Sequence, residues 1–227
     1  MKIGILQTGH VADALQPENG NYPEIFAKFL GDQGFEFDNY AVVDDVFPSG
    51  PDAADGWLIT GSRFGVYEGL PWIVKLEELV REIYARAIPM VGVCFGHQVI
   101  AQALGGKVEK FDGGWAVGAH QYDMGGKTIT LNAWHQDQVI ELPPDATVVG
   151  TNDFCANAAL LYGQKAFTIQ PHPEITAQYI QGLLETRAPG VVPEDIRTNA
   201  IDRLDVTTDS AQVARLIGTF FREKRLS

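Results

Sequence analysis

Apolar residues recur along this chain in two alternating rhythms, and the alternation predicts the fold. "KIGILQT" is an apolar run of strand length; after a polar loop through Asn21, "YPEIFAKFLGDQG" carries apolar positions at helical spacing and closes on glycine. "FEFDNYAVV" alternates at period two, and "GWLITGS" is a third short apolar run ending in turn residues. "LPWIVKLEELVREIYARA" predicts a long amphipathic helix, with Pro71 near its start and Pro89 just past its end. "PMVGVCF" reads as a fourth strand and "GHQVIAQALGG" as the helix after it. Such repeated strand-helix order predicts an α/β domain with a central, mostly parallel sheet flanked by helices.

From Lys107 onward the texture changes. "KVEKF", "AVGAHQYDM", "KTITLNAWH", "ATVVGTN", "AALLYG" and "AFTIQ" are short strand-like runs joined by Gly, Asp and Asn turns. They are expected to extend or flank the sheet, partly antiparallel. Helical patterns return at "EITAQYIQGLLETRA" and "SAQVARLIGTFFREKR", and residues 189–209 between them read as a loop plus a short helix. The expected organisation is one domain, with residues 1–188 as its body and 189–227 as a helical extension packed on it.

Composition narrows the function classes. A chain of 227 residues buries one sizeable core and has no room for a second catalytic domain. A formal net charge of -12 repels phosphate backbones and anionic lipid, so neither nucleic acid nor a membrane is an expected partner. The opening "MKIGILQTGH" lacks the apolar stretch of an export signal, and no later run reaches membrane-spanning length. Cys94 and Cys155 are a poor disulfide framework, so free thiols in a reducing cytoplasm are expected.

The chemistry concentrates where the fourth strand meets its helix. Gly92 and Gly96 flank Cys94 two positions away on each side. A strand running straight into a helix needs a sharp turn, whose apex is strained and exposed, and side chains at the flanking positions would collide with the crowded backbone. At such an apex a thiol faces the first free N–H groups of the helix, which favour thiolate, and the Phe95 N–H can serve as an oxyanion donor. The alternative is a buried structural cysteine at a glycine-rich strand end.

A thiol nucleophile wants a base and a group to orient it. Among His10, His97, His120, His135 and His172, His172 stands out between Pro171 and Pro173, with Glu174 two residues on. In an extended segment the two side chains project to the same side, so the carboxylate can hold the imidazole; otherwise Glu174 caps the helix that follows. His10 and His120 read as loop or surface residues, and His97, in the helix, as packing or facing solvent rather than acting as base. No pair of histidines has ligand spacing with a carboxylate, so no metal is expected, and a cysteine nucleophile with a histidine base needs no cofactor.

"GVCFGHQ" and "PHPE" occur in the order and at the separation of the signature segments of class I glutamine amidotransferases, and the chain resembles that family over about residues 1–188. Within that family it resembles stand-alone proteins similar to the amidotransferase domain of GMP synthase. The resemblance implies a flavodoxin-like fold and a Cys94-His172-Glu174 triad that attacks the side-chain amide of glutamine, passes through a γ-glutamyl thioester and releases ammonia. It further implies oxyanion contacts at Gly61, Ser62 and Phe95, and a substrate pocket including Gln98, His135 and Asp137. Two segments depart from the family pattern: the oxyanion loop reads Gly-Ser-Arg-Phe-Gly, and Trp134 and Gln136 replace small residues. The implied partners are a small-molecule substrate and, if ammonia is passed on, a synthetase subunit. The alternatives are a γ-glutamyl peptidase and a non-catalytic regulatory or binding protein on the same fold.

Overall fold

A computed structural model describes residues 1–226. Its strands are β1 (Lys2–Leu6), β2 (Glu36–Tyr40), β3 (Gly56–Ile59), β4 (Met90–Val93), β5 (Lys107–Lys110), β6 (Ala116–Met124), β7 (Lys127–His135), β8 (Asp137–Glu141), β9 (Thr147–Gly150), β10 (Ala159–Tyr162) and β11 (Ala166–Ile169). Its α-helices are α1 (Gln16–Asn19), α2 (Tyr22–Phe29), α3 (Pro71–Ala85), α4 (Phe95–Ala103), α5 (Ala177–Thr186), α6 (Glu194–Ile201) and α7 (Ser210–Glu223).

Seven strands form one sheet in the order β2-β1-β3-β4-β11-β10-β9. The five from β2 to β11 run parallel, and β10 and β9 add an antiparallel edge. The parallel strands alternate faces at period two. Trp57 and Ile59 of β3 pack with Ile73, Leu76, Val80 and Ile83 of α3, and with Val99 and Ile100 of α4. Leu58 between them packs on the other face with Phe26 of α2 and with Ile217, Phe220 and Phe221 of α7. Helix α7, from the C-terminal segment, is thus part of the main core.

Hairpin β6–β7 and the pair β5–β8 are separate two-stranded ladders. They flank the large sheet rather than extend it, and β8 is a strand the periodicity reading does not contain. The short α1 lies inside the expected polar loop, and β2 ends at Tyr40, where residues 42–44 turn into a 3-10 helix.

Register places the functional end of the sheet. Ile59 and Thr168 both pair with Gly92, so β3, β4 and β11 end level with one another. The segments leaving these three neighbouring parallel strands carry Gly61, Cys94 and His172 respectively. The carboxyl ends of parallel strands are where open α/β sheets gather ligands.

Candidate active site

Cys94 sits between β4 and α4 at φ 53° and ψ −104°, a conformation costly for any residue with a side chain. Backbone bonds on three sides hold it there. The Cys94 amide donates to Ile169 O at 2.9 Å, the Gly96 amide to Thr60 O at 3.1 Å, and the Gln98 amide to Cys94 O at 3.0 Å. The flanking glycines are required by contact: a Cβ on Gly92 would lie 2.4 Å from Gly96 O, and one on Gly96 would lie 2.3 Å from Ile59 O. The strained bend is therefore present. Its apex is not exposed as expected: Cys94 is 7% accessible and reaches solvent only through a cleft, because the loops after β3 and β11 close over it.

His172 follows β11 and is fixed by main chain. Its amide donates to Asn132 O at 2.7 Å, and the Asn132 amide group donates to Ile175 O at 3.0 Å, so the end of β7 clamps both sides of the bend. The His172 Nδ1 meets Glu174 Oε1 at 2.7 Å, with both residues buried. Burial opposes a charged imidazole, but the Glu174 carboxylate and then the Cys94 sulfur outweigh it and hold His172 well above the ordinary histidine range. A Cβ added to Gly61 would lie 3.1 Å from His172 Cε1 and 3.9 Å from Cys94 Cβ, so the β3 loop closes directly over this pair.

That loop is itself oriented. The Gly61 carbonyl lies 2.9 Å from Thr8 Oγ1 and 3.1 Å from Thr60 Oγ1, two fully buried hydroxyls. In a trans peptide the following N–H, that of Ser62, points the opposite way. Among the described residues the amides of Gly61, Ser62 and Phe95 have no acceptor. The Ser62 hydroxyl donates to Thr8 O at 2.7 Å and so ties the loop to β1. The Phe95 ring points away from the cleft and stacks on Trp72.

Ser62, Cys94, Gln98, His135, Asp137 and His172 line one cleft of about 450 Å³. Glu174 stands behind His172 rather than on the wall. Both amide hydrogens of Gln98 are engaged, with Asp137 O and Gln170 Oε1, so toward the cleft Gln98 can only accept. His135 is pushed down to about 3 by burial and by neighbouring histidines, and is neutral; its ring nitrogens have no partner among the described residues. The Tyr67 hydroxyl donates to Asp137 Oδ2 at 3.0 Å, while burial raises the Asp137 carboxyl.

The other histidines differ in part from expectation. His97 packs, fully buried, against the Thr168 hydroxyl at 2.8 Å, and burial lowers it to about 3. His10 is an exposed loop residue, as expected, and it also lines the cleft and meets Asp44 at 2.9 Å. His120 belongs to β6, where burial lowers it. Cys155 is buried away from the cleft wall, with its thiol pushed up to about 12 by desolvation.

The sequence reading did not contain the Thr8–Thr60 pair, Asn132, or Tyr22 and Tyr179. Thr8 and Thr60 each lie just beyond the end of an apolar strand, a detectable signal. Tyr22 opens α2 behind the Asn21 cap, and burial raises its hydroxyl well above the tyrosine range, with Tyr179, Glu174 and Cys94 adding to the shift. Nothing in the local sequence announces that placement.

A mostly parallel α/β sheet with a strained cysteine bend at the end of a central strand and a buried His-Glu pair beside it defines a recognisable class of protein. Residues 52–183 match the family model "Glutamine amidotransferase class-I", and the chain belongs to that family. It is 29% identical over 178 residues to gamma-glutamyl peptidase 3 of Arabidopsis thaliana, covering 71% of this chain and 72% of that one. It is 33% identical over 138 residues to the glutamine-hydrolyzing GMP synthase of Azoarcus sp., covering 53% of this chain but only 26% of that longer enzyme. A crystal structure of a glutamine amidotransferase from Thermotoga maritima superposes with a TM-score of 0.75 at 20% identity, covering 99% of this chain and 96% of that one.

Proposed function

We propose that the protein is a cysteine-dependent hydrolase of γ-glutamyl amides, with Cys94 as nucleophile, His172 as proton carrier and Glu174 as the group that orients and charges the imidazole. The observation that carries this reading is the convergence of a strained, cleft-lining thiol and a buried His-Glu pair on one loop, that of Gly61. The raised affinity of His172 for its proton, set by Glu174 and by the Cys94 sulfur beside it, supports its role as the proton carrier.

In this reading His172 takes the thiol proton as Sγ attacks the amide carbonyl carbon, and the carbonyl electrons move onto oxygen. The N–H groups of Ser62 or Gly61 and of Phe95 receive that oxyanion. His172 passes its proton to the leaving nitrogen as the C–N bond breaks, leaving a γ-glutamyl thioester and a free amine. Water then adds to the thioester and gives a proton to His172, the C–S bond breaks, and glutamate leaves with the thiol restored. Neutral His135 and the Gln98 carbonyl offer acceptors to the substrate's ammonium group, and Asp137 its charge.

Two leaving groups fit the chemistry: ammonia, if glutamine is the substrate, and an amino acid or peptide, if the amide is substituted. The cleft favours the second, since about 450 Å³ falls among sites for drug-sized ligands and exceeds what a glutamine side chain needs. Similarity to gamma-glutamyl peptidases supports the same choice. Similarity to GMP synthase supports the first, with ammonia passed to a synthetase partner. The test is the steady-state release of glutamate from glutamine and from γ-glutamyl dipeptides by the purified protein with no additions. Dipeptides are expected to have the higher kcat/KM; a preference for glutamine would overturn that choice, and release from neither would overturn the hydrolase.

A further inference from the structure

The charges of the cleft are unevenly engaged. Its two acids already accept from the protein, Glu68 from the Gly65 amide at 2.7 Å and Asp137 from the Tyr67 hydroxyl at 3.0 Å. Its three cations, Arg63, Lys110 and Arg187, have no carboxylate partner among the described residues. Arg63 lies over the Phe64 ring, 4.9 Å from its centroid, which leaves the exposed Lys110 and Arg187 as the cleft cations open to an anion.

The cations fall in separate parts of the wall. Lys110 pairs in register with Asp137 across β5–β8, beside Tyr67. Arg187 ends α5, next to Ala188, which shares an apolar cluster with Leu183, Tyr179, Trp115 and Trp134. The two tryptophans meet edge-on at 6.1 Å and are only half-buried, so apolar surface faces the same cleft as the Arg187 guanidinium. The Asp137 and Lys110 region offers one anion and one cation, which suits the ammonium and α-carboxylate of a γ-glutamyl group. Ammonia as a leaving group would use neither Arg187 nor the tryptophans.

Resting on the γ-glutamyl reading above, we propose that Arg187, Trp115 and Trp134 form a subsite for the amine half of the substrate, and that this half carries a free carboxylate and an apolar side chain. The substrates are then γ-glutamyl amino acids or short γ-glutamyl peptides with an unblocked C-terminus. Arg187 meets the carboxylate with the paired N–H donors a guanidinium presents, and the tryptophans cover the side chain.

The test compares kcat/KM for γ-glutamyl-phenylalanine and for its C-terminal amide, in the wild type and in Arg187→Gln. The wild type is expected to favour the free acid by about tenfold or more, and Arg187→Gln to lose that preference chiefly through KM. Arg187→Lys should restore part of it. Equal use of acid and amide by the wild type, or equal loss on both in Arg187→Gln, overturns the subsite. Calorimetric binding of the same two compounds to Cys94→Ala separates the two readings. If the wild type cleaves neither compound and releases no glutamate from glutamine, the hydrolase fails, while tighter binding of the acid still supports the subsite and equal binding rejects it.

Discussion

The ends of β3, β4 and β11 and the wall made by β6–β7, α5 and the residues after it present opposite designs. The strand ends are neighbours in one parallel ladder, level in register, and their side chains are held by main-chain bonds and by glycines whose removal would produce contacts under 2.5 Å. The wall is assembled from segments far apart in sequence, such as Trp115, Trp134 and Arg187, through apolar packing and half-buried rings. Rigid backbone suits reacting atoms that tolerate little displacement, while a packed side-chain wall can change partners without disturbing the bend at Cys94. Under this account, reaction type resides in the first region and substrate choice in the second.

The largest effect is expected where backbone meets backbone. Gly96→Val drives a side chain into the Ile59 carbonyl, which cannot move without breaking β3. The variant is expected to lose about 3 kcal/mol or more of stability in urea melts and to lose turnover with it. A variant of normal stability and rate would remove the rigid half of the comparison.

A smaller and more specific effect is expected at Glu174. His172→Ala should slow hydrolysis by about 10²- to 10⁴-fold, and Glu174→Gln by less, since glutamine can still hold the ring but not its charge. The sign of the pH effect follows from the raised His172. Stability from its contact with Glu174 is fully present below the unfolded histidine value of about 6.5 and is lost as pH rises through the higher folded value. The wild-type alkaline limb of activity and melting temperature should therefore lie above that of Glu174→Gln. Coincident limbs would mean that Glu174 does not charge His172.

How much of this was legible differs between the two regions for the same physical reason. The strands of the parallel half, the bend at Cys94 and the grouping of His172 with Glu174 are local: each is a run of a few residues whose glycines, prolines or alternation state their geometry directly. The burial of Cys94 was not legible, because it depends on two other loops closing over the apex. Nor were Asn132 and Tyr22, polar residues inside ordinary strand and helix patterns whose meaning comes from what packs beside them. Arg187 lies at a helix end, where a basic residue is unremarked, and its place on a cleft wall follows from how α5 and the hairpin β6–β7 come together in the fold.

The central claim is that Cys94, and not the buried Cys155, carries the glutamyl group during turnover. It is tested most directly by quenching the protein in acid during reaction with a γ-glutamyl dipeptide and locating the adduct by mass spectrometry. The account predicts a γ-glutamyl thioester on the peptide containing Cys94, none on Cys155, and loss of both adduct and turnover in Cys94→Ala. Turnover at the wild-type rate by Cys94→Ala, or an adduct confined to another residue, would contradict it.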